Sequence, residues 1–290
     1  MSIIYKLFII SCLVFLISSC SMSKMMVNFM NPIIEKASEA VDKSNDVEMV
    51  REAIASQIIQ INGLLEVSPD NKVLLLAASK AYNGYGFAFI EDEDKKRAKK
   101  LYLKSRNLAL RMVKKKKKFI NALNGTLNDF LPTLNTLKKN DVPGLFWAIM
   151  SWMQWINLSL DNTDIFLDIP KIEAIIYKII ELDETYYHGG PHLSIASYYA
   201  AQAEMFGGNS KKAEYHFDKA FEISESKFLL VHLYYAKYYA VQIQDKELYL
   251  KTLKKIIDAP DDLSKKLTFA NQIAKIKARE LLNTVDDYFL

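Results

Sequence analysis

The sequence predicts an all-α protein built of paired helices, with a tryptophan-rich segment set between two paired regions. From Pro32 on, apolar residues recur at three- and four-residue steps with almost no two-residue alternation. Breaks rich in Pro, Gly, Asn and Asp divide that pattern at helix-length intervals. All three tryptophans, Trp147, Trp152 and Trp155, fall in one such interval.

The first residues have a separate character. Lys6 precedes the uncharged run Leu7–Ile17, which ends in Ser18-Ser19-Cys20. This is the pattern of a signal peptide over residues 1–19. Its apolar core, Ile9–Ile17, is about half the roughly 20 residues a permanent membrane span needs. Leu16-Ile17-Ser18-Ser19-Cys20 resembles the lipobox of bacterial lipoproteins, although Leu stands fourth before the cysteine and not third. Small residues there admit the chain to the signal peptidase after the Cys20 thiol has received its diacylglycerol. The plainer reading is ordinary signal cleavage beside an incidental cysteine.

Cleavage before Cys20 removes Cys12 and leaves Cys20 acylated, with palmitate among the expected chains. Disulfides, thiol catalysis and cysteine metal sites are then excluded. Each buried methylene of the anchor contributes about 0.8 kcal/mol to membrane binding. Ser21, where an Asp would favour retention in the inner membrane, points to the outer membrane of a bacterial envelope, with the protein facing the periplasm. Residues 20–31 read as a lipidated tether and residues 32–290 as a single helical domain. The formal net charge of +4 does not indicate a nucleic-acid binder.

Val47, Val50, Ile54, Ile58, Ile61 and Leu65 form the stripe of the first long helix, which Ser68-Pro69-Asp70 ends. Val73–Ile90 is a second helix. The acids Glu91–Asp94 then suit the positive end of a third, whose stripe is Ala98, Leu101, Tyr102, Ser105, Leu108 and Met112. Between Glu91 and Lys118 thirteen Lys and Arg stand against four acids, which leaves the rest of the chain net acidic. A solvated face with cations at the helix C-terminus explains this run; a docking face for an acidic partner or an anionic surface is the functional alternative.

Asn121–Leu137 is a weaker amphipathic stretch, and Asn140–Gly144 a break. Leu145–Ile156 follows, interrupted only by Ser151 and Gln154, as expected of a helix covered on most sides. Asp161–Asp164 ends it. Ile172–Leu182, His192–Met205, Ser210–Ile223, Lys227–Gln242, Lys246–Ile257 and Leu263–Leu282 complete the helices, with Tyr187–Pro191 as a turn.

Paired helices of about 34 residues with small and aromatic residues at fixed offsets define tetratricopeptide repeats. Three segments are similar, near residues 73–110, 193–225 and 227–260. The first carries Tyr82, Tyr85, Gly86 and Phe89 before Ala98, Tyr102 and Ser105. The second carries Ala200 and Ala201 before Gly207-Gly208-Asn209 and Ala213, Phe217 and Ala220. The third carries Tyr235, Ala236 and Tyr239, but Leu248, Thr252 and Lys255 match its second helix poorly. Together these predict a compact tetratricopeptide-like α-solenoid with an inserted Trp-rich helical segment.

The lipobox, this core, the Trp-rich insert, Leu182-Asp183 leading to Gly189-Gly190-Pro191, and Gly207-Gly208 before Ala213, Phe217 and Ala220 together resemble the T component of TRAP transporters. The most specific stretch is Tyr186–Ser224. The resemblance implies a periplasmic lipoprotein that associates with the solute-binding P component of a TRAP system. It also implies a homotrimer and an internal cleft for an apolar small ligand. It transfers no catalytic residue. A structural tetratricopeptide lipoprotein of an outer-membrane assembly or secretion machine is the alternative.

No catalytic, cofactor or metal site is expected from the residues. His188 and His192 are four apart, a spacing that suits one metal on a continuous helix, but Gly189-Gly190-Pro191 interrupts the helix between them. His216 and His232 read as isolated helix residues. No nucleophile elbow, phosphate-binding glycine loop or zinc-protease helix is present. Trp147, Met150, Trp152 and Trp155 are the candidate lining of a ligand or partner cleft, with core packing as the competing explanation.

Overall fold

The computed structural model describes residues 22–159, 165, 167–202, 204 and 207–289. The expected signal peptide and Cys20 lie outside them. The chain is all-α, as the periodicity predicts, and no helix among the described residues is long and apolar enough to cross a membrane.

Helix starts follow local chemistry. In α1 (Asn31–Asp42), Pro32 occupies the first turn, where its missing N–H costs nothing. Asp46, Asn71 and Asp94 cap α2 (Val47–Val67), α3 (Lys72–Tyr85) and α4 (Lys95–Met112), each side-chain oxygen accepting from backbone N–H groups of the first turn. Val50, Ile54, Ile58, Ile61 and Leu65 of the predicted stripe are buried, and so are Ala98, Tyr102, Ser105, Leu108 and Met112.

Past α4 the chain is broken into α5 (Lys117–Ala122), α6 (Leu127–Phe130) and a 3-10 turn, Leu131–Thr136. The single amphipathic segment expected there does not form, because Gly125 and Pro132 interrupt it. A second 3-10 turn, Lys139–Asp141, leads into the Trp-bearing helix α7 (Val142–Asn157). The predicted break at Asn140–Gly144 is this helix start, with Pro143 in the first turn.

The remaining elements are α8 (Ile169–Asp183), α9 (Tyr186–Ala201), α10 (Ser210–Ile223), α11 (Leu229–Tyr234), α12 (Lys246–Ile257) and α13 (Thr268–Asn283). Helix α3 packs on α4, α9 on α10, and α11 on α12; α7 lies between α4 and α8. The last helix, α13, returns to touch α1 and α2. Lys277 of α13 reaches Glu91 at 3.3 Å and Asp92 at 2.6 Å, and Ile273 joins a cluster with Val50, Ile54, Ile58, Phe89 and Ile90. The pairs therefore enclose space where an open row would not.

Two helices widen near that space. Residues Gly86–Ile90 extend α3, and Tyr235–Ala240 extend α11, as single π-helical segments. Such segments insert a residue into the helix and recur at functional sites. One expectation changes at the N-terminus. The stretch read as a tether is helical at residues 22–29, where Val27 is buried and Asn28 is hydrogen-bonded to Ser68 and Asn71.

Candidate functional site

The functional candidate is the space the helices enclose. It has two chambers. A narrow one of about 130 Å³ lies among α1, α2, α3, α7, α9 and α13. A wider one of about 740 Å³ opens between α7, α8, α9 and the π-extended α11. Met150, Gln154, Leu193 and Tyr234 line both.

The floor of the narrow chamber comes from an unusual turn. Tyr187 and His188 adopt left-handed backbone, with φ of 48° and 59°, followed by Gly189 at 79°. Only glycine takes that conformation without cost, so two of the three residues are strained. The predicted turn at Tyr187–Pro191 is thus real. Its geometry drives the Tyr187 ring between Phe146, Trp147 and Phe228, at centroid distances of 5.5, 5.0 and 5.9 Å. Gly190 makes this possible: a Cβ there would sit 2.6 Å from the Phe146 ring.

The wider chamber mixes apolar groups with neutral hydroxyls and amides. Met153, Ile156, Ile169 and Ile172 supply the first; Ser197, Gln202, Tyr198 and Tyr238 supply the second. Burial pushes the Tyr234 and Tyr238 hydroxyls far above the usual phenol range, so neither ionises at physiological pH. Among the described residues Lys80 and Asp42 are the only charged ones lining either chamber, and they pair with each other at 3.0 Å.

The four candidate cleft residues separate. Trp147 lines the narrow chamber and Met150 lines both. The helical period turns Trp152 and Trp155 elsewhere: Trp152 is buried beneath the Arg106 guanidinium, 4.9 Å from its ring, and Trp155 packs against the neighbouring core clusters. Residues 147, 150 and 154 share one face of α7; 152 and 155 do not.

Sequence reasoning missed a histidine pair. His216 is not isolated: its Nδ1 lies 2.9 Å from Nδ1 of buried His192, whose Nε2 is 3.3 Å from Glu184. No local motif marks a contact between residues 24 apart in sequence. Burial holds the His192 imidazole below its ordinary pKa, against the opposing pull of Glu184. Burial, with His192 and Lys212 nearby, holds His216 down to about 4. Both rings are therefore neutral at pH 7, one donating to the other. His188 points instead toward Phe228, at a ring distance of 5.9 Å. Among the described residues no group of three or more His, Cys, Asp or Glu side chains is placed to hold a metal.

The chambers thus offer shape and apolar contact, with one polar corner in the narrow chamber where Lys80 donates to Ser38 at 3.3 Å and to Asp42 at 3.0 Å. No curated protein matches the sequence. The sequence model of the TRAP transporter T-component matches residues 43–289, from the end of α1 through the last helical turn, and so takes in both chambers' walls on α2, α3, α7, α9, α11 and α13. A match over most of the chain places this protein in the TRAP transporter T-component family, an accessory component of a transporter.

Proposed function

We propose that the protein is a lipid-anchored accessory lipoprotein, facing the periplasm, that binds the solute-binding P component of a TRAP transporter and holds an apolar small ligand in its two chambers. Its work on this reading is binding and presentation, with no catalytic step. The observation that carries the ligand half is the lining of the chambers: Trp147, Met150, Met153 and Leu193 supply apolar contact, while Tyr234, Tyr238 and Gln154 fix orientation as uncharged hydrogen-bonding groups. Family membership carries the partner half. The anchor belongs to the same reading and rests on Cys20 and the residues before it. Ser21 after the cysteine favours the outer membrane.

The test is purification of the full-length protein from solubilised membranes. Recovery together with a TRAP solute-binding protein, and release of an apolar compound on organic extraction of the washed complex, are the expected results. Light scattering on the same sample reads the trimeric state that the family implies. Recovery with outer-membrane assembly or secretion proteins, and no solute-binding protein, would overturn the proposal.

A further inference from the structure

The N-terminal helix is turned with its apolar side away from the protein. Val27 and Ile34 face the core and are buried, and Asn28 and Asn31 bond the loop between α2 and α3 through Asn71. On the other side Met22, Met25, Met26, Phe29, Met30 and Ile33 are 39 to 76 % exposed. Met22, Met25, Met26 and Phe29 repeat at three- and four-residue steps on the helix of residues 22–29, and Met30 and Ile33 follow at the turn and first turn of α1. Large apolar side chains gathered in one exposed stripe mark an interaction surface, because singly scattered ones would need no explanation.

The stripe's chemistry selects the partner. Between Ser21 and Ile34 the chain has no acid and a single cation, Lys24, so it offers little to a charged protein surface. The loop that holds this helix also holds a basic cluster from the end of α4. Arg111 donates to the Pro69 carbonyl, Lys114 pairs with Asp70, and Lys115, Lys117 and Lys118 are exposed just beyond. An apolar stripe beside a basic cluster is the composition of a helix lying in the interface of an anionic bilayer. The stripe also begins two residues after Cys20, where the expected anchor would enter the membrane.

We infer that the helix of residues 22–29 and the first turn of α1 lie on a membrane surface, where Met22, Met25, Met26, Phe29, Met30 and Ile33 insert among the acyl chains of a bilayer containing anionic phospholipid. The helix gives the protein a second membrane contact besides any acyl chain. It fixes the end of the molecule at Asn28 and the Pro69 loop toward the lipid, where a flexible tether would let it tumble. The inference rests on the anchor reading for orientation alone.

The experiment leaves the acyl chain out, so failure of the anchor and failure of the stripe are distinguishable. The chain from Ser21 onward keeps every described residue of the fold. It is mixed with vesicles of phosphatidylglycerol and phosphatidylcholine and sedimented, beside a Met26→Ser/Phe29→Ser/Ile33→Ser variant. The expected result is sedimentation of the parent chain with the vesicles and a partition coefficient at least tenfold lower for the variant. Circular dichroism and Tm should stay unchanged, since the three side chains touch solvent in the fold. Three results would overturn the inference: no vesicle binding by the parent, equal binding by the variant, or a parent oligomer that the variant converts to monomer.

Discussion

Two buried polar seams join the helices around the chambers, and they use different chemistry. Between α3, α4 and α7 the seam is uncharged. Ser105 Oγ lies 2.9 Å from Ser79 Oγ and 2.7 Å from Ser151 Oγ, and Ser151 accepts from Asn83 at 3.0 Å. Between α8, α9 and α10 the seam titrates. It holds the His192–His216 contact, with Glu184, and beside it Tyr199 bonded to Glu173 at 2.5 Å and to Tyr177 at 2.9 Å. Both satisfy buried groups that would otherwise cost about 1–3 kcal/mol each. The serine seam lets helices approach closely through short hydroxyls; the histidine seam joins its helices through rings. One is indifferent to pH and the other is not.

The sharpest way to break the close seam is to wedge it. A Cβ on Gly144 would meet the Ala109 carbonyl oxygen and Met112 Cβ, each at 3.0 Å, where α7 crosses α4. Gly144→Leu should therefore destabilise the fold by about 3 kcal/mol, read as a shift of the urea midpoint. A change under about 1 kcal/mol would mean that the two helices can part freely, and the contrast between the seams would lose its basis.

Acid separates the seams next. Folded His192 and His216 have lowered pKa values, so the fold favours their neutral forms. Their contribution is fully present above the unfolded value of about 6.5. It is lost as pH falls from there toward about 4, the folded value for His216. His232, held down to about 4 by burial and Lys255, adds to the loss from outside the seam. His216 alone should account for about 2 kcal/mol of the stability lost between pH 7 and pH 5. In His216→Phe, which keeps a ring against Tyr199, the slope should flatten although stability at pH 7 drops. An unchanged slope in that variant would assign the pH dependence to other groups.

The serine seam should answer differently. Ser105→Ala adds no bulk, but it leaves Ser79 and Ser151 without their shared hydroxyl partner. It should cost about 1–2 kcal/mol, and by the same amount at pH 7 and pH 5. Denaturation at the two pH values checks both the size and the constancy.

How much of this could be read from sequence follows from which forces are local. The stripes from Val50 to Leu65 and from Ala98 to Met112 were legible because burial on a helix repeats with the helix's own period. The turn at Tyr187–Pro191 was legible through Gly189-Gly190-Pro191. The His192–His216 contact was hidden, since it depends on how α9 and α10 are set against each other. The helix at residues 22–29 was hidden for another reason: its apolar side faces outward, so a Met- and Ser-rich stretch with few charges read as a tether. For the Trp-rich segment the period of α7 was available, but the side facing the chambers was not. Trp147 and Met150 face them, whereas Trp152 and Trp155 do not.

That last division gives the smallest effect on stability and the most direct reading of the site. Residues on the seam side of α7 meet packed neighbours; Met150 meets open volume where the chambers join. Met150→Phe should therefore fit without overpacking and change stability by less than about 1 kcal/mol, unlike Gly144→Leu on the same helix. It should nonetheless lower the affinity for a nonpolar naphthylamine dye several-fold, because the added ring occupies space that Tyr234, Leu193 and Gln154 otherwise leave free. Fluorescence titration of the dye, beside urea denaturation, separates the two effects. A variant that binds the dye as the parent does would show that the dye, and by extension an apolar ligand, does not enter where the chambers meet. A variant destabilised as strongly as Gly144→Leu would show that α7 is packed alike on both sides.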